Sequence, residues 1–491
     1  MRLHPILLPV ALASLAGCAA GPDYKVPKAE LPARWEGAAA ADAPQAPDTW
    51  WTLFGDPELS SLVGRAAGAN LDVRQAVLRV AEARAERDLA TPARWPTLSA
   101  SAGAERQRIS EKTAPASLLA SEASGRAAGV GGTAGPAAGF PNPFNQAQYG
   151  FDATWEIDLF GRVRRSVEAA DAQARATEEE SHAALVTLAG EVARTYVDLR
   201  MTQARRAITL QAIGTLGARL ELARESRASG YGTDADVAQA GALEAAARAQ
   251  IPDLDRAVAL DINRLSLLLA LEPGALRGEL GGERPIPPVP PELPAGIPSD
   301  LLRRRPDIRL AEERLHAATA RIGVATADLY PRLTLTAGAG YQAERGADLA
   351  DWAARYASVG PALELPIFDS GRRRANIRLE DARARGAAVA YAQAVLGAVH
   401  EVENALAACR EGRLRQAALS EAAAADRDAL GVAGQRYAAG LTAYGDILAA
   451  ERVSQEADLA LAQGAAALST DVVMLCKALG GGWSPPPRPS P

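Results

Sequence analysis

The sequence predicts a mainly α-helical chain with a small set of membrane-spanning β-strands, built as a tandem duplication and completed only as an oligomer. Three observations predict it. Two alanine-rich runs, 162–228 and 372–438, pass without a proline. Four stretches near 97–107, 147–158, 332–342 and 356–367 alternate apolar with polar or glycine residues. The order of elements in the first half returns in the second.

The chain opens with MRLHPILLPVALASLAGC, a charge at Arg2 followed by an apolar run ending in small residues. This is the pattern of a secretory signal, here residues 1–17, rather than a membrane span. Cys18 directly after Leu15-Ala16-Gly17 has the form of a lipoprotein acceptor, so its thiol is expected to be acylated. Acyl chains contribute about 0.8 kcal/mol per buried methylene, enough for several chains to hold the N-terminus in a bilayer. Ala19 follows, not aspartate, and residues 18–55 read as an extended segment behind the anchor.

The duplication is read from constant offsets. Gly161-Arg162 matches Gly371-Arg372, and the same offset of 210 places Arg200 on Arg410, Gly230 on Gly440 and Asp236 on Asp446. Earlier in each half the offset is 235, pairing Asp72-Val73-Arg74 with Asp307-Ile308-Arg309 and Pro96 with Pro331. The difference of 25 residues falls in a Gly-, Ala-, Ser- and Pro-rich stretch, 111–144, which reads as a long loop. The first repeat is thus 56–284 and the second 299–479, joined by the proline-rich strap 285–298, with a tail at 480–491.

Each repeat carries the same elements. Asp56-Pro57 is an N-cap with proline in the first turn. A helix follows over 72–90, and its counterparts are a short helix from Ser299 and a helix over 307–328. After the strands come the long runs, each about 100 Å as a continuous helix. Each reaches a glycine, Gly230 or Gly440, and returns as a second helix over 234–271 or 444–479. Leu185, Leu188, Val192, Tyr196 and Leu199 form an apolar stripe at helical spacing. None of these helices reads as a membrane span. Arginine clusters begin both long runs, which opposes the helix dipole. Asp158, and Asp369 with Ser370, are expected to cap those helices, and anionic headgroups to offset the arginine charge.

The strands are two-sided. Tyr149, Phe151, Ala153, Trp155 and Ile157 share one face; Gly150, Asp152, Thr154, Glu156 and Asp158 share the other. Alternation also fits a half-buried soluble sheet. Length of roughly 9–11 residues, the exported N-terminus and the terminal aromatics Tyr149, Tyr341 and Tyr356 favour a lipid-facing sheet. Open strand edges are not tolerated in lipid, and four strands close no barrel. Three copies give about twelve strands around an aqueous bore, and bring the long hairpins together as a helical tube.

Other classes find little support. A net charge of −6 on 491 residues marks no nucleic-acid surface. The histidines beyond the signal, His182, His316 and His400, stand in no metal-ligand or nucleophile spacing, and no phosphate loop or nucleophile elbow is present. No catalytic residue, metal site or cofactor is expected beyond the lipid on Cys18. Cys409 and Cys476 read as unpaired core thiols, although an exported chain permits a disulfide. A helical stalk without a channel would leave the strands unexplained.

Together the lipoprotein start, TWWTLFGDPEL (49–59), WEIDLFGR (155–162), RRRPDIRLAEERL (303–315), GVATADLYPRLTL (323–335), PIFDSGR (366–372), RYAAGLTAYGDILAAER (436–452) and KALGGGW (477–483) resemble the outer-membrane efflux proteins. The similarity is to the TolC-like factors of the OprM/NodT lipoprotein type, and covers nearly all of the chain after the signal. It implies a homotrimer with a 12-stranded outer-membrane barrel, an α-helical barrel crossing the periplasm and an equatorial domain. It also implies a periplasmic adaptor and an inner-membrane RND-type pump as partners, and small molecules as cargo, with a duct for type I protein secretion as the alternative. The hairpin tips Gly230, Gly440 and Leu441 are then the adaptor contacts, and Asp446, Asp236 and Tyr437 the closed periplasmic gate. Ala449 stands where the family has a second acidic residue, so a double carboxylate ring is not expected. Each gate aspartate also sits where it would cap a helix. Gly161-Arg162 and Gly371-Arg372 become the two membrane-to-periplasm junctions.

Overall fold

The computed structural model describes residues 19–28, 31–36, 47–108, 143–292 and 296–484. The expected signal peptide, Cys18, nearly all of the 111–144 loop and residues 485–491 lie outside the described residues. The chain divides into two units: one of Met1–Tyr24, Ala85–Asp171 and Ala317–Ala384, the other of Lys25–Arg84, Ala172–His316 and Arg385–Pro491.

The first unit holds one antiparallel sheet in the order β1 (Thr97–Gln107), β2 (Phe144–Ile157), β3 (Arg332–Ala343), β4 (Arg355–Glu364). Register makes its two faces chemically distinct. Leu98, Ala153, Ala337 and Val359 lie side by side across all four strands, and the next row holds Ser99, Asp152, Gly338 and Ser358. Apolar side chains on the first face stand exposed, among them Leu98, Phe151 and Val359. Among the described residues β1 and β4 each pair on one side only.

β4 ends at Glu364, short of the expected 367, because its partner strand begins at Arg332, opposite Glu364. Among the described residues no strand pairs with Leu365, Ile367 and Phe368, which are exposed. Tyr149 and Tyr341 stack at 5.3 Å on the apolar face as expected. Tyr356 does not join them. It pairs with Gly340 on the opposite face, and its hydroxyl lies where a Cβ on Gly150 would come within 2.7 Å, so the glycines there make room for the ring. Even-numbered position in β4 decides the face, and chain ends alone do not show it.

The longer helices are α1 (Pro57–Ala69), α2 (Leu71–Ala90), α3 (Arg162–Ala228), α4 (Asp234–Leu268), α5 (Pro306–Ala327), α6 (Arg372–Ala438) and α7 (Tyr444–Ala478). Both α3 and α6 are unbroken over 67 residues, with the ends the sequence predicts. The counterpart of α1 in the second repeat is only a turn, Leu301–Arg304. Pro306 restricts Arg305 to extended backbone and stops it.

Trp50, Phe54, Leu59, Leu62, Val192, Tyr196, Leu265, Val402 and Leu475 belong to the main core of the second unit. α7 corrects the expectation that no helix reads as a span: by length and composition it is apolar enough to cross a membrane. Its Val472, Val473, Leu475 and Cys476 are instead buried in the protein core. Cys409 and Cys476 are free thiols.

Specific contacts fix the strap and the start of the tail. Over residues 285–292 the strap is tied to the helices by its carbonyls: Pro287 accepts from Ser469 Oγ at 2.8 Å and Pro290 from Arg413 at 2.7 Å. Proline lacks an N–H but keeps a full acceptor. The glycine- and proline-rich composition of 480–491 predicts a disordered tail, and over its described residues, 480–484, that expectation is corrected. Trp483 is buried, donates Nε1–H to Arg304 O at 2.9 Å and stacks on His182 at 4.3 Å. Gly482, at φ +112, brings its N–H within 2.9 Å of Asp48 O.

Candidate gate and strand–helix junctions

Both hairpin tips end in the same motif for the same reason. Gly230 (φ +82) and Gly440 (φ +71) occupy the left-handed region that terminates a helix. Gly230 N–H bonds Arg227 O at 3.0 Å and Tyr231 N–H bonds Ser226 O at 3.0 Å; Gly440 to Tyr437 and Leu441 to Arg436 repeat the pattern at 2.9 and 2.8 Å. Tyr231 and Leu441 project outward, 92% and 69% exposed, so each tip presents one large side chain to solvent.

The two aspartates just past the tips act first as caps. Asp236 accepts from Thr233 N–H at 2.9 Å and from Thr233 Oγ at 2.7 Å, while Asp236 N–H returns to Thr233 Oγ at 3.2 Å. This is a reciprocal capping box. Asp446 accepts from Ala443 N–H at 3.1 Å and from the Thr442 hydroxyl. The Thr233 bonds hold the Asp236 carboxyl below the usual carboxylate range. The Thr442 hydroxyl, then the Ala443 amide, then Arg436 do the same for Asp446. Both groups are charged at neutral pH, and Asp446 stands exposed.

Tyr437 does not meet either aspartate. It packs against the apolar cluster beneath the tips, formed by Leu216, Leu220, Ala240, Ile447 and Leu448 among others, with its ring 5.7 Å from Tyr444. Three residues the sequence did not single out tie the hairpins there. Tyr444 donates its hydroxyl to Arg219 O at 2.6 Å, and Arg219 Nε meets Glu451 Oε1 at 2.8 Å. Burial pushes the Tyr444 phenol up to about 12, so it stays a donor at any physiological pH. Glu451 is 9% exposed, borders a cavity of about 330 Å³ with Gln211, Thr215 and Gln250, and its Oε2 has no protein partner. Its spacing of four from the apolar Ile447 was the available signal: a carboxylate on a buried stripe requires a counter-charge.

At the junctions Gly161 and Gly371 have φ +82 and +84, which allow the strand to turn into the helix. A Cβ on Gly161 would lie 2.8 Å from Ala19 Cα, so this glycine also admits the N-terminal segment, where Ala20 N–H bonds Phe160 O at 2.8 Å. The capping aspartates act as expected: Asp158 accepts from Arg164 N–H at 2.8 Å, and Asp369 from Gly371 and Arg373 N–H at 3.0 and 3.2 Å. The arginines divide. Arg162 pairs with both oxygens of Glu156 at 2.8 and 2.5 Å, and Arg165 with Asp23 and Glu168. Arg372 and Arg374 are exposed and have no ion pair among the described residues.

A sheet with one apolar and one polar face, unpaired at both edges among the described residues, together with two unbroken 67-residue helices, is the make-up of an outer-membrane channel protein. The chain belongs to the outer membrane efflux protein family, whose model matches residues 62–271 and 297–481; this is a family of channel proteins, not enzymes. It is 35% identical over 473 residues to the outer membrane protein OprJ of Pseudomonas aeruginosa, covering 96% of this chain and 94% of that one. It is 31% identical over 495 residues to nodulation protein T of Rhizobium leguminosarum, covering 100% and 95%. Among solved structures, the outer-membrane channel OprN superposes with a TM-score of 0.85 at 35% identity, over 95% of this chain and 100% of that one.

Proposed function

We infer that the chain is the outer-membrane exit duct of a tripartite efflux pump, exporting small molecules from the periplasm and an inner-membrane transporter to the exterior. Three copies close a 12-stranded barrel, their hairpins continue it as a helical tube, and a lipid on Cys18 tethers each copy to the outer membrane. A periplasmic adaptor grips the tips at Gly230, Gly440 and Leu441, and an RND-type pump feeds the duct. Asp446, with Asp236 behind it, forms the charged constriction, and three such carboxylates about an axis favour cations.

The observation that carries this reading is the sheet. Its apolar row from Leu98 to Val359 and polar row from Ser99 to Ser358 cross all four strands, and both edges lack a partner among the described residues. Lipid on one face and water on the other is the environment that such a surface fits, and only closure with further strands satisfies its edges. Membership of the efflux family supports the same conclusion. The test is export: cells lacking this chain should accumulate a pumped dye and regain efflux when it is supplied. Unchanged accumulation across candidate pump substrates would contradict the reading.

A further inference from the structure

We propose that the cavity of about 330 Å³ beneath the hairpin tips is a binding site for a small organic cation, a protonated amine on a compact apolar body. The site lies within the helical unit of one chain and does not depend on how many copies assemble or on what the duct carries.

Four helices enclose the cavity, and each brings leucine to it: Leu216 from α3, Leu243 from α4, Leu430 from α6, Leu448 and Leu459 from α7. Its volume stands at the lower end of the range for small-molecule sites, about 300–1,000 Å³, so the occupant is small. The polar groups lie on one face of α7, where Glu451, Ser454 and Asp458 follow at spacings of three and four. Most ions of the lining are committed. Arg452 pairs with Glu456 at 2.7 Å, and Asp458 pairs with Arg427. Glu451 gives Oε1 to Arg219 at 2.8 Å, while its Oε2 has no partner among the described residues. Ser454 is 6% exposed, and its hydroxyl also has no hydrogen bond among the described residues.

Two buried polar groups one turn apart, both uncommitted and both beside an apolar cavity, call for a donor. A protonated amine supplies charge-assisted bonds to the carboxylate and the hydroxyl, and its apolar body covers the leucines. An anion would instead meet three acidic side chains and an arginine that is already paired. The repeat supplies an internal control. The offset of 210 places Gly241 at the position of Glu451 and Ala429 at that of Arg219. A Cβ on Gly241 would meet only Leu220 within 4 Å, at 3.8 Å. Packing of a hairpin at this level therefore needs no carboxylate. The tie to Arg219 accounts for one oxygen of Glu451; a bound cation accounts for the other and for Ser454.

Calorimetric titration of the full-length, detergent-purified protein with phenethylammonium tests this. Saturable binding at one site per chain is expected, about tenfold tighter than for the neutral phenethyl alcohol or the anionic hydrocinnamate. Leu243→Trp fills the cavity from α4, leaves Glu451 and Arg219 in place and should abolish binding. Ser454→Ala removes one acceptor without touching the Arg219 pair and should weaken binding severalfold. Circular dichroism melts check that each variant is folded. No saturable binding to the wild type, equal affinity for the three probes, or undiminished binding in a folded Leu243→Trp would overturn the site. Where Leu243→Trp does not fold, Ser454→Ala decides, and unchanged affinity there overturns it equally.

Discussion

Glu156 and Arg162 face each other across the first strand–helix junction in a two-pronged ion pair, 2.8 and 2.5 Å, and the residue corresponding to Glu156 in the second repeat is Pro366. The two junctions thus differ in charge balance, although Arg373 still pairs with Asp369 at 3.1 Å in the second. In the first, the arginine that opposes the helix dipole is neutralised by the chain itself. In the second, Glu168 has also become Arg378, and Arg372 and Arg374 are left with their charge outward. The two sets of variants should therefore separate. Arg162→Gln should lower thermal stability by about 1 kcal/mol, as expected for a partly exposed pair. Arg372→Gln/Arg374→Gln should leave stability alone and weaken binding to vesicles containing anionic lipid. Vesicle flotation beside thermal melts checks both, and equal behaviour of the two sets would contradict the division.

The second unit depends on a buried charge. Arg200 is fully buried, pairs with Glu58 and donates to Gln203 Oε1 at 2.6 Å and Gly282 O at 2.8 Å, while Tyr196 donates to Asp56 and Glu58 at 2.8 and 2.9 Å. Removing one charge strands the other in a medium that does not solvate it. Glu58→Gln should cost about 3 kcal/mol, seen as a melting point several degrees lower. Arg410, the counterpart of Arg200, lies exposed beside Glu411, and Arg410→Gln should change the melting point little.

A pH dependence follows from Asp261, whose carboxyl is pushed up to about 6 by burial and then by the nearby Asp198. The folded value lies above the ordinary one, so the protonated form is favoured on folding. That stabilisation is complete below about pH 4 and is lost as pH rises through 6. Asp261→Asn should raise the melting point at pH 8 by the equivalent of about 1 kcal/mol, allowing for solvent screening of a half-exposed group, and leave it unchanged at pH 4. A gain of equal size at both pH values would rule out the titration.

Asp446 has two roles to separate. Asparagine keeps the side-chain acceptor that caps α7 and removes only the charge. Asp446→Asn should keep protection of the tip amides against hydrogen exchange and reduce cation selectivity in planar bilayers. Asp446→Ala should lose both. Because the folded carboxyl lies below its ordinary range, the charged cap is intact through neutral pH and is lost in acid, as pH falls through the lowered value.

The helices and strands were legible because their boundaries are local. Gly161-Arg162 and Gly371-Arg372 mark the starts of α3 and α6, and no proline interrupts either run before its tip glycine. Strand faces followed from alternation, and the repeat fixed which residues correspond. What was not legible depends on residues distant in sequence. Glu58 and Arg200 are 142 positions apart, and Arg219 and Glu451 are 232 apart. Trp483, in a glycine-rich tail, is buried where His182, Arg304 O and the Arg309 guanidinium meet it. The sequence marks for those contacts are weak: a charged residue on the Val192, Tyr196, Leu199 stripe signals a buried counter-ion without saying which one.

A conducting duct with its constriction at the tips is the function proposed for this chain. Single-channel recording of the purified protein in planar bilayers tests it, comparing wild type with Tyr444→Phe/Arg219→Ala, which removes the 2.6 and 2.8 Å ties between hairpins. Tyr444 loses its donor and Glu451 its cation, while the sheet is untouched. Discrete conductance steps that become larger or more frequent in the variant are the predicted result. An oligomer that inserts yet never conducts, in either form, would contradict the account.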